Sequence, residues 1–377
     1  MVTYLRVRSG LVAALCLLSP LFCVAGQADP DSAGEQAPRF LSFRVPDSTA
    51  IFPESINDLM VVTGSYTTRS GGSRGFVRYA DGTIITFAVP GAMATQPVSI
   101  NHWGDITGSY MVPEPPGYTS LFQSVRQGFV RAANGTITTF GNTLNGIGAY
   151  DTYMDPLAIN LGGEVVGNES DGLGATVFTR SVSGSVQKFS LGSGATEQTY
   201  AAGINASGAI LGYTTSQGAK SQLDEGFLWS GNGPLPSPAS DTTTPIIADG
   251  SKWTIPLAIN AGGMIVGCYR DPYHTLDFVR DQEGTITTLN IPGVNEAECN
   301  VTVNDAGTIL GYYANAADVN IGFFKPYGGK VVTFAYPGAT DTFPTSLNNL
   351  DVITGWYSNG STTFGFIFAP GSTAHVD

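Results

Sequence analysis

Side chains able to do acid–base, nucleophilic or metal chemistry are sparse in this chain, and their spacing suits none of the three well. Its 377 residues hold three histidines, His102, His274 and His375, and four cysteines. The run Gly71-Gly72-Ser73-Arg74-Gly75 has the letters of a nucleophile elbow, but that motif needs a strand-to-helix turn to present its serine. Both flanks of this run read as β-strand, so Ser73 is expected in an ordinary loop. Asn168-Glu169-Ser170-Asp171-Gly172 is rich in oxygen yet lacks the alternating acids of a calcium loop, and it reads as a solvated turn. No Cys/His spacing suits zinc. No catalytic residue, metal or cofactor is therefore assigned.

Residues suited to recognition are easier to find. Tyr150, Tyr153 and Asp155 lie together in the sequence, and Arg270, Asp271, Tyr273 and His274 form a second group. Tyrosine joins a large apolar area to a hydrogen-bonding tip, and charged neighbours add direction, the mixture expected of a surface that grips a peptide or a sugar. These seven are the candidate ligand-binding residues because, unlike most residues around them, they do not recur along the chain.

What must position them is a repeat. An aliphatic–Asn pair occurs seven times, at Ile56-Asn57, Ile100-Asn101, Ile159-Asn160, Ile204-Asn205, Ile259-Asn260, Val303-Asn304 and Leu347-Asn348, and a glycine follows each Asn by seven residues. The Asn-to-Asn intervals of 44, 59, 45, 55, 44 and 44 residues describe a unit of about 44 with two insertions. Each unit reads as four short strands. Strand A runs into the Asn, B ends at the repeated Gly, C is a Gly-Phe-aliphatic segment such as Gly128-Phe129-Val130-Arg131, and D is Thr-Ile-Thr-Thr-Phe or a variant. Runs rich in Val, Ile, Thr and Phe, bounded by Gly, Asn and Pro, are strand signals, and no long stretch has a helical period. The A–B and C–D turns are tight, whereas the B–C and D–A connections are long. In an up-and-down meander the tight turns then share one face and the long loops the other, with the candidate residues on the long-loop face.

Four-stranded antiparallel units of this length predict an all-β, seven-bladed β-propeller over residues 39–370. Small residues two positions before each Asn, and proline four positions before five of them, place A nearest the crowded axis, with the proline at the start of an edge strand. A ring with C innermost would keep the same count. The last unit lacks a D strand, and Phe40 to Val45 is a D strand without a unit, so the N-terminal strand is expected to pair in the last blade and close the ring. In the fourth unit Gly231 to Ser251, rich in Pro, Ser, Thr and Asp, stands where a D strand should be. Tyr66, Tyr110, Tyr269, Tyr313 and Tyr357 recur nine residues after the Asn, with Tyr213, Tyr312 and Trp356 one position earlier. Recurrence assigns this series to packing between units, with stacking on a ligand as its alternative use, and assigns the recurring Asn and Gly to the fold.

The unit Pro-Gly-Ala-x-x-Thr-x-Pro-x-x-Ile-Asn-x-x-Gly-x-Ile-x-Gly-x-Tyr followed by Gly-Phe, at Pro90 to Tyr110 and nearly again at Pro337 to Tyr357, resembles the bacterial extracellular repeats of the HAF type over about residues 39–370. The His-Ala/Gly-Phe triplet typical of that family is weak, with Leu276-Asp277-Phe278 in one copy. The resemblance implies a secreted, propeller-like protein and transfers no catalytic residue.

Arg6 and Arg8 precede an apolar run from Leu11 to Ala25, and Gly26 and Ala28 follow at the spacing a signal peptidase reads. Residues 1–28 are read as a signal peptide, 29–38 as a linker and 371–377 as a tail. The apolar run is too short to span a bilayer, and none like it follows. Loss of its two arginines takes the formal net charge from -13 to -15, the wrong sign for nucleic acid. Export leaves Cys268 and Cys299 either as a candidate disulfide or as two buried thiols. The expected function is that of a secreted or periplasmic, monomeric, non-enzymatic propeller binding an extracellular protein, peptide or glycan through its long-loop face. The alternative is a hydrolase or lyase acting on an extracellular polymer with acids such as Asp155, Asp271 and Asp341.

Overall fold

The computed structural model describes residues 38–113, 124–141, 153–170, 174–192, 197–216, 224–231, 233, 235–237, 242–294 and 296–371. The expected signal peptide, almost all of the linker, Tyr150, His375, and Asp171 and Gly172 of the oxygen-rich loop lie outside the described residues.

Every regular element among them is a β-strand. β1 (Arg39–Phe43) precedes the first unit, which holds β2 (Ser48–Ile56), β3 (Val62–Thr68), β4 (Ser73–Arg78) and β5 (Ile84–Phe87). The second has β6 (Ala94–Ile100), β7 (Ile106–Pro113), β8 (Ser124–Arg131) and β9 (Ile137–Phe140), and the third β10 (Tyr153–Ile159), β11 (Val165–Ser170), β12 (Ala175–Arg180) and β13 (Val186–Phe189). The fourth has β14 (Glu197–Ile204), β15 (Ile210–Ser216), β16 (Glu225–Trp229) and β17 (Thr243–Ile246), and the fifth β18 (Trp253–Ile259), β19 (Ile265–Arg270), β20 (Thr275–Arg280) and β21 (Ile286–Thr288). The sixth has β22 (Thr302–Val303), β23 (Ile309–Ala314), β24 (Asn320–Lys325) and β25 (Val332–Phe334), and the last has β26 (Asp341–Leu347), β27 (Ile353–Ser358) and β28 (Thr363–Ala369).

Strands within a unit pair antiparallel in chain order. β1 joins the last unit, with Arg39 opposite Ala369 and Phe43 opposite Gly365 on β28. Three departures from the sequence reading stand out. The first three units are not separate four-stranded sheets but one 12-stranded sheet, because single parallel bridges link Ser73 to Ala94 and Tyr153 to Arg126 where a C strand runs beside the next unit's A strand. The fourth unit does have a D strand, β17, which pairs with β16 despite its proline-rich approach. The A and B strands are also longer than expected, except for the two-residue β22. β3, for instance, continues past Gly64 to Thr68, and Pro53 lies inside β2 rather than at its start.

The proline is tolerated there because a bulge follows it. The register shifts between Pro53 and Ser55, and likewise after Pro97, Pro156, Pro256 and Pro344. Bulges are where a missing N–H does least harm. The repeated glycine faces the same spot, and a Cβ on Gly64 would collide with the Phe52 carbonyl oxygen. That close approach explains why the spacing never varies.

A second glycine, at the start of the Gly-Phe segment, is covered by the aromatic ring of the D strand. Phe87 lies on Gly75, Phe140 on Gly128 and Phe334 on Gly322, leaving no room for a Cβ, and Phe43 of β1 lies on Gly365 in the same way. Each of three such rings also meets a buried arginine of the following unit. Arg131 sits 5.0 Å from Phe87, Arg180 5.2 Å from Phe140, and Arg78 of the first unit 5.2 Å from Phe43. The apolar cores lie between successive units. Val45, Ile51, Ile56 and Phe76 pack with Ile367 in one cluster, and Phe40 joins Phe334, Phe366 and Phe368 in another.

Candidate functional site

The A–B turns show what the asparagines do. In each unit the side-chain oxygen accepts the backbone N–H four residues on, as from Val61 to Asn57 at 3.0 Å and from Met264 to Asn260 at 2.9 Å, so it folds its own turn. The Nδ2 donates to the backbone carbonyl of the next unit's asparagine. The bonds run Asn57 to Asn101 (3.0 Å), to Asn160 (3.3 Å), to Asn205 (3.3 Å), to Asn260 (3.3 Å), to Asn304 (3.0 Å), to Asn348 (2.8 Å), and from Asn348 back to Asn57 (3.1 Å). Both ends of every amide are spent, which is why aspartate, lacking the donor, would not serve.

These asparagines and their neighbours line a cavity of about 550 Å³. It opens on the tight-turn face, opposite the face on which the sequence placed recognition. The side chains at its rim differ from unit to unit, among them Asp58, His102, Trp103, Leu161, Asp305 and Asn349.

At the other end of the inner strands two positions whose residues vary from unit to unit, five before and eight after the Asn, come together beside the bulge. They are opposite one another in register as Phe52 with Ser65, Gln96 with Ser109, Asp155 with Asn168, Tyr200 with Tyr213 and Phe343 with Trp356. In the sixth, last and first units at least one of these positions is aromatic, and the rings form a connected series from unit to unit. Tyr312 meets Phe343 edge-on at 5.1 Å, Phe343 stacks on Trp356 at 4.0 Å, and Trp356 meets Phe52 edge-on at 5.5 Å. All four rings are half-buried, so part of each faces solvent. Tyr200 stacks on Tyr213 at 5.2 Å in the fourth unit. Glu54, at the bulge beside Phe52, has its carboxyl pushed up to about 7 by burial. The corresponding positions in the other units, such as Val98, Leu157 and Thr345, carry no acid.

The sequence had noticed Trp356 and Tyr312 but missed Phe52, Phe343 and Glu54. The tyrosines nine residues after the Asn point the other way. Tyr66, Tyr110 and Tyr357 are buried, and Tyr269 and Tyr313 are partly buried against apolar clusters.

The candidates read from the sequence divide into two places. Asp155 accepts two bonds from Arg126 Nη1, at 2.8 and 3.1 Å, next to the half-exposed Tyr153. Arg270 to His274 form a tight turn between β19 and β20. Asp271 accepts the backbone N–H groups of Tyr273 and His274, both at 2.6 Å, and these bonds, with that of His274 foremost, hold its carboxyl below the usual range. The His274 Nδ1 stands 3.9 Å from Asp271, Arg270 donates to Thr275 at 2.9 Å, and the Tyr273 ring is 76% exposed. Asp341 is bonded by Asn320, whose side chain does most to lower its pKa. Each of the three acids is thus held by a neighbour within its own or the adjoining unit. Cys268 and Cys299 are joined by a disulfide with Cα atoms 5.3 Å apart. Beside it Asp277 is buried, and burial, reinforced by the charge of Glu298, pushes its carboxyl up to about 7. Among the described residues no group of three or more His, Cys, Asp or Glu is placed to hold a metal, and no helix is long and apolar enough to cross a membrane.

An all-β chain of repeated antiparallel units linked through their inner strands is a propeller-like protein. Solved structures agree on that class. The β-propeller domain of the trilobed protease from Pyrococcus furiosus is similar over 87% of this chain and 95% of its own, with a TM-score of 0.58 at 9% identity. Virginiamycin B lyase from Staphylococcus aureus is similar over 88% and 99%, with a TM-score of 0.52 at 11% identity, and a streptogramin B lyase over 88% and 97%, with a TM-score of 0.54 at 11% identity. Likeness at this identity concerns the fold alone. No protein-family model and no curated protein sequence matches the chain.

Proposed function

We propose that the chain is a seven-bladed β-propeller over residues 39–370, closed by β1 in the last blade, and that it works as a secreted or periplasmic binding protein of the HAF-repeat kind rather than as an enzyme. In this reading residues 1–28 are a signal peptide, 29–38 a linker and 371–377 a tail, and the protein is a monomer. The asparagine bonds that return to Asn57 and the Phe43 ring on Gly365 support the closure. Its ligand is an extracellular protein, peptide or glycan held on the long-loop face, with Tyr150, Tyr153, Asp155, Arg270, Asp271, Tyr273 and His274 as the further residues proposed to contact it.

The observation that carries the reading is the half-exposed series Tyr312, Phe343, Trp356 and Phe52. Rings that only some units carry at these positions are not required as spacers between units, since Ser65, Ser109 and Asn168 stand there elsewhere, and together they offer apolar area of the kind that stacks on a sugar or packs on a peptide. Catalysis needs an acid and a base free to move protons at one place, whereas Asp155, Asp271 and Asp341 are each committed to a local partner. Glycan and peptide arrays, run beside a panel of polysaccharide substrates, test the proposal. Binding without turnover, lost in Trp356→Ala, is expected. Turnover of any polymer, or no binding on either array, would overturn it.

A further inference from the structure

The tight-turn end holds a second constellation, independent of the aromatic series. Since every asparagine amide already serves its own turn and the next unit, and recurs identically round the cavity, discrimination there falls to the non-recurring residues on its rim, and these are distributed unevenly. Asp305, Asn349 and Asp58 come from successive units and are tied together. Ala261 N–H donates to Asp305 Oδ1 (2.7 Å), Asp305 N–H to Asn349 Oδ1 (2.9 Å) and Asn349 N–H to Asp58 Oδ1 (2.8 Å). The Asn349 Nδ2 then bridges the two carboxylates, 3.1 Å from Asp58 Oδ2 and 3.2 Å from Asp305 Oδ2. Neither acid has a lysine or arginine partner among the described residues, and His102 Nδ1 stands 3.7 Å from Asp58. Further round the rim the His102 ring meets Trp103 edge-on at 5.0 Å. Trp103 is 63% exposed, and Leu161 beyond it is 48% exposed.

Two acids pinned side by side, with spare lone pairs, next to an exposed indole on a cavity of about 550 Å³, match a cation carried on an apolar stem. We propose that this mouth takes a lysine or arginine side chain from a basic segment of a partner protein, with the charge between Asp58 and Asp305 and the aliphatic stem against Trp103. Long basic side chains bury their stems while keeping the charged head among polar groups. The net charge of -13 draws such a segment from a distance. A divalent ion fits less well, because two carboxylates and an amide fall short of the six to eight oxygens that calcium takes.

The test is fluorescence anisotropy of labelled hexa-arginine with the full-length mature chain at low salt, with hexaglutamine as the neutral control. Saturable binding of hexa-arginine alone is expected. It should weaken at least about tenfold in Asp58→Asn/Asp305→Asn and about threefold in Trp103→Ala, in line with charge-pair and cation–π contributions at a partly exposed site. It should hold in Asp249→Asn/Glu283→Gln, which removes two exposed charges elsewhere. Equal weakening by both charge variants would reduce the effect to net charge and overturn the proposal, as would absence of saturable binding. Trp103 is 63% exposed, so its replacement is expected to cost the fold little, and full affinity in Trp103→Ala would also overturn the proposal, whatever the folding of the double variant.

Discussion

Replacing Phe43 by alanine separates a closing strand from a loosely attached N-terminus. The Phe43 ring covers Gly365, lies 5.2 Å from the Arg78 guanidinium and meets Phe76 edge-on at 6.1 Å. Truncating a fully buried phenylalanine costs about 3–5 kcal/mol. Phe43 is half-buried, which scales the loss to about 2 kcal/mol, and the edge-on and cation–π contacts return part of the difference. The expected loss is about 2–3 kcal/mol. Phe87 and Phe140 make the corresponding contacts with Gly75 and Arg131, and with Gly128 and Arg180, and are buried to the same class. They supply the internal scale. Urea unfolding of the three alanine variants, compared at equal m-value, should give matching losses. If Phe43→Ala stays within about 0.5 kcal/mol of the parent, the ordinary range for surface substitutions, while Phe87→Ala and Phe140→Ala lose 2–3 kcal/mol by the same burial argument, then β1 is not acting as a D strand and the closure is wrong.

Asn260→Ala removes one bond to the Asn304 carbonyl, which keeps the Gly307 N–H, and leaves the half-buried Met264 N–H without its acceptor, so a loss of about 2–3 kcal/mol is expected by urea unfolding. Asn260→Asp should recover only the part owed to the turn. Asp277 keeps its proton to about pH 7 when folded, whereas its ordinary value is 3.8. The folded state therefore binds more protons between those values, and stability falls as pH rises from about 4 to 7, by about 4 kcal/mol from this group. Glu54 acts in the same direction. Asp277→Asn should flatten the pH dependence of the melting temperature over that window, and an unchanged slope would refute the assignment. Reducing the Cys268–Cys299 bond opens a loop of 31 residues and should cost about 4 kcal/mol by the chain-entropy relation, measured by urea unfolding with and without reductant.

The recurring Asn-to-Gly interval revealed the unit because the glycine must sit against the carbonyl at the bulge, a constraint that tolerates no insertion. The unpaired Phe40–Val45 run pointed to β1 for a similar reason, since a strand with nothing to pair against has to find an edge. The second bond of each asparagine was hidden. It reaches a different unit, and no local spacing encodes it. The aromatic series was obscured by the bulge itself. Strict alternation counted back from the buried Ile56 would put Phe52 on the core side, but the extra residue at Glu54 reverses the parity, so Ile51 is buried and Phe52 faces outward. Tyr153, at the start of β10, and the turn residue Tyr273 were legible as exposed rings because nothing in the repeat accounted for them, yet which connections approach each other depends on packing that sequence order does not carry. β17 was missed because proline and serine on its approach outweighed a four-residue strand with little local signal.

The most direct test of the account is the affinity of an array-selected ligand for the parent, Trp356→Ala and Trp103→Ala, measured by isothermal titration. If recognition belongs to the long-loop end, Trp356→Ala weakens binding at least about tenfold, the cost of one well-placed aromatic contact, and Trp103→Ala leaves it unchanged. Full affinity in Trp356→Ala together with loss in Trp103→Ala would contradict the central claim.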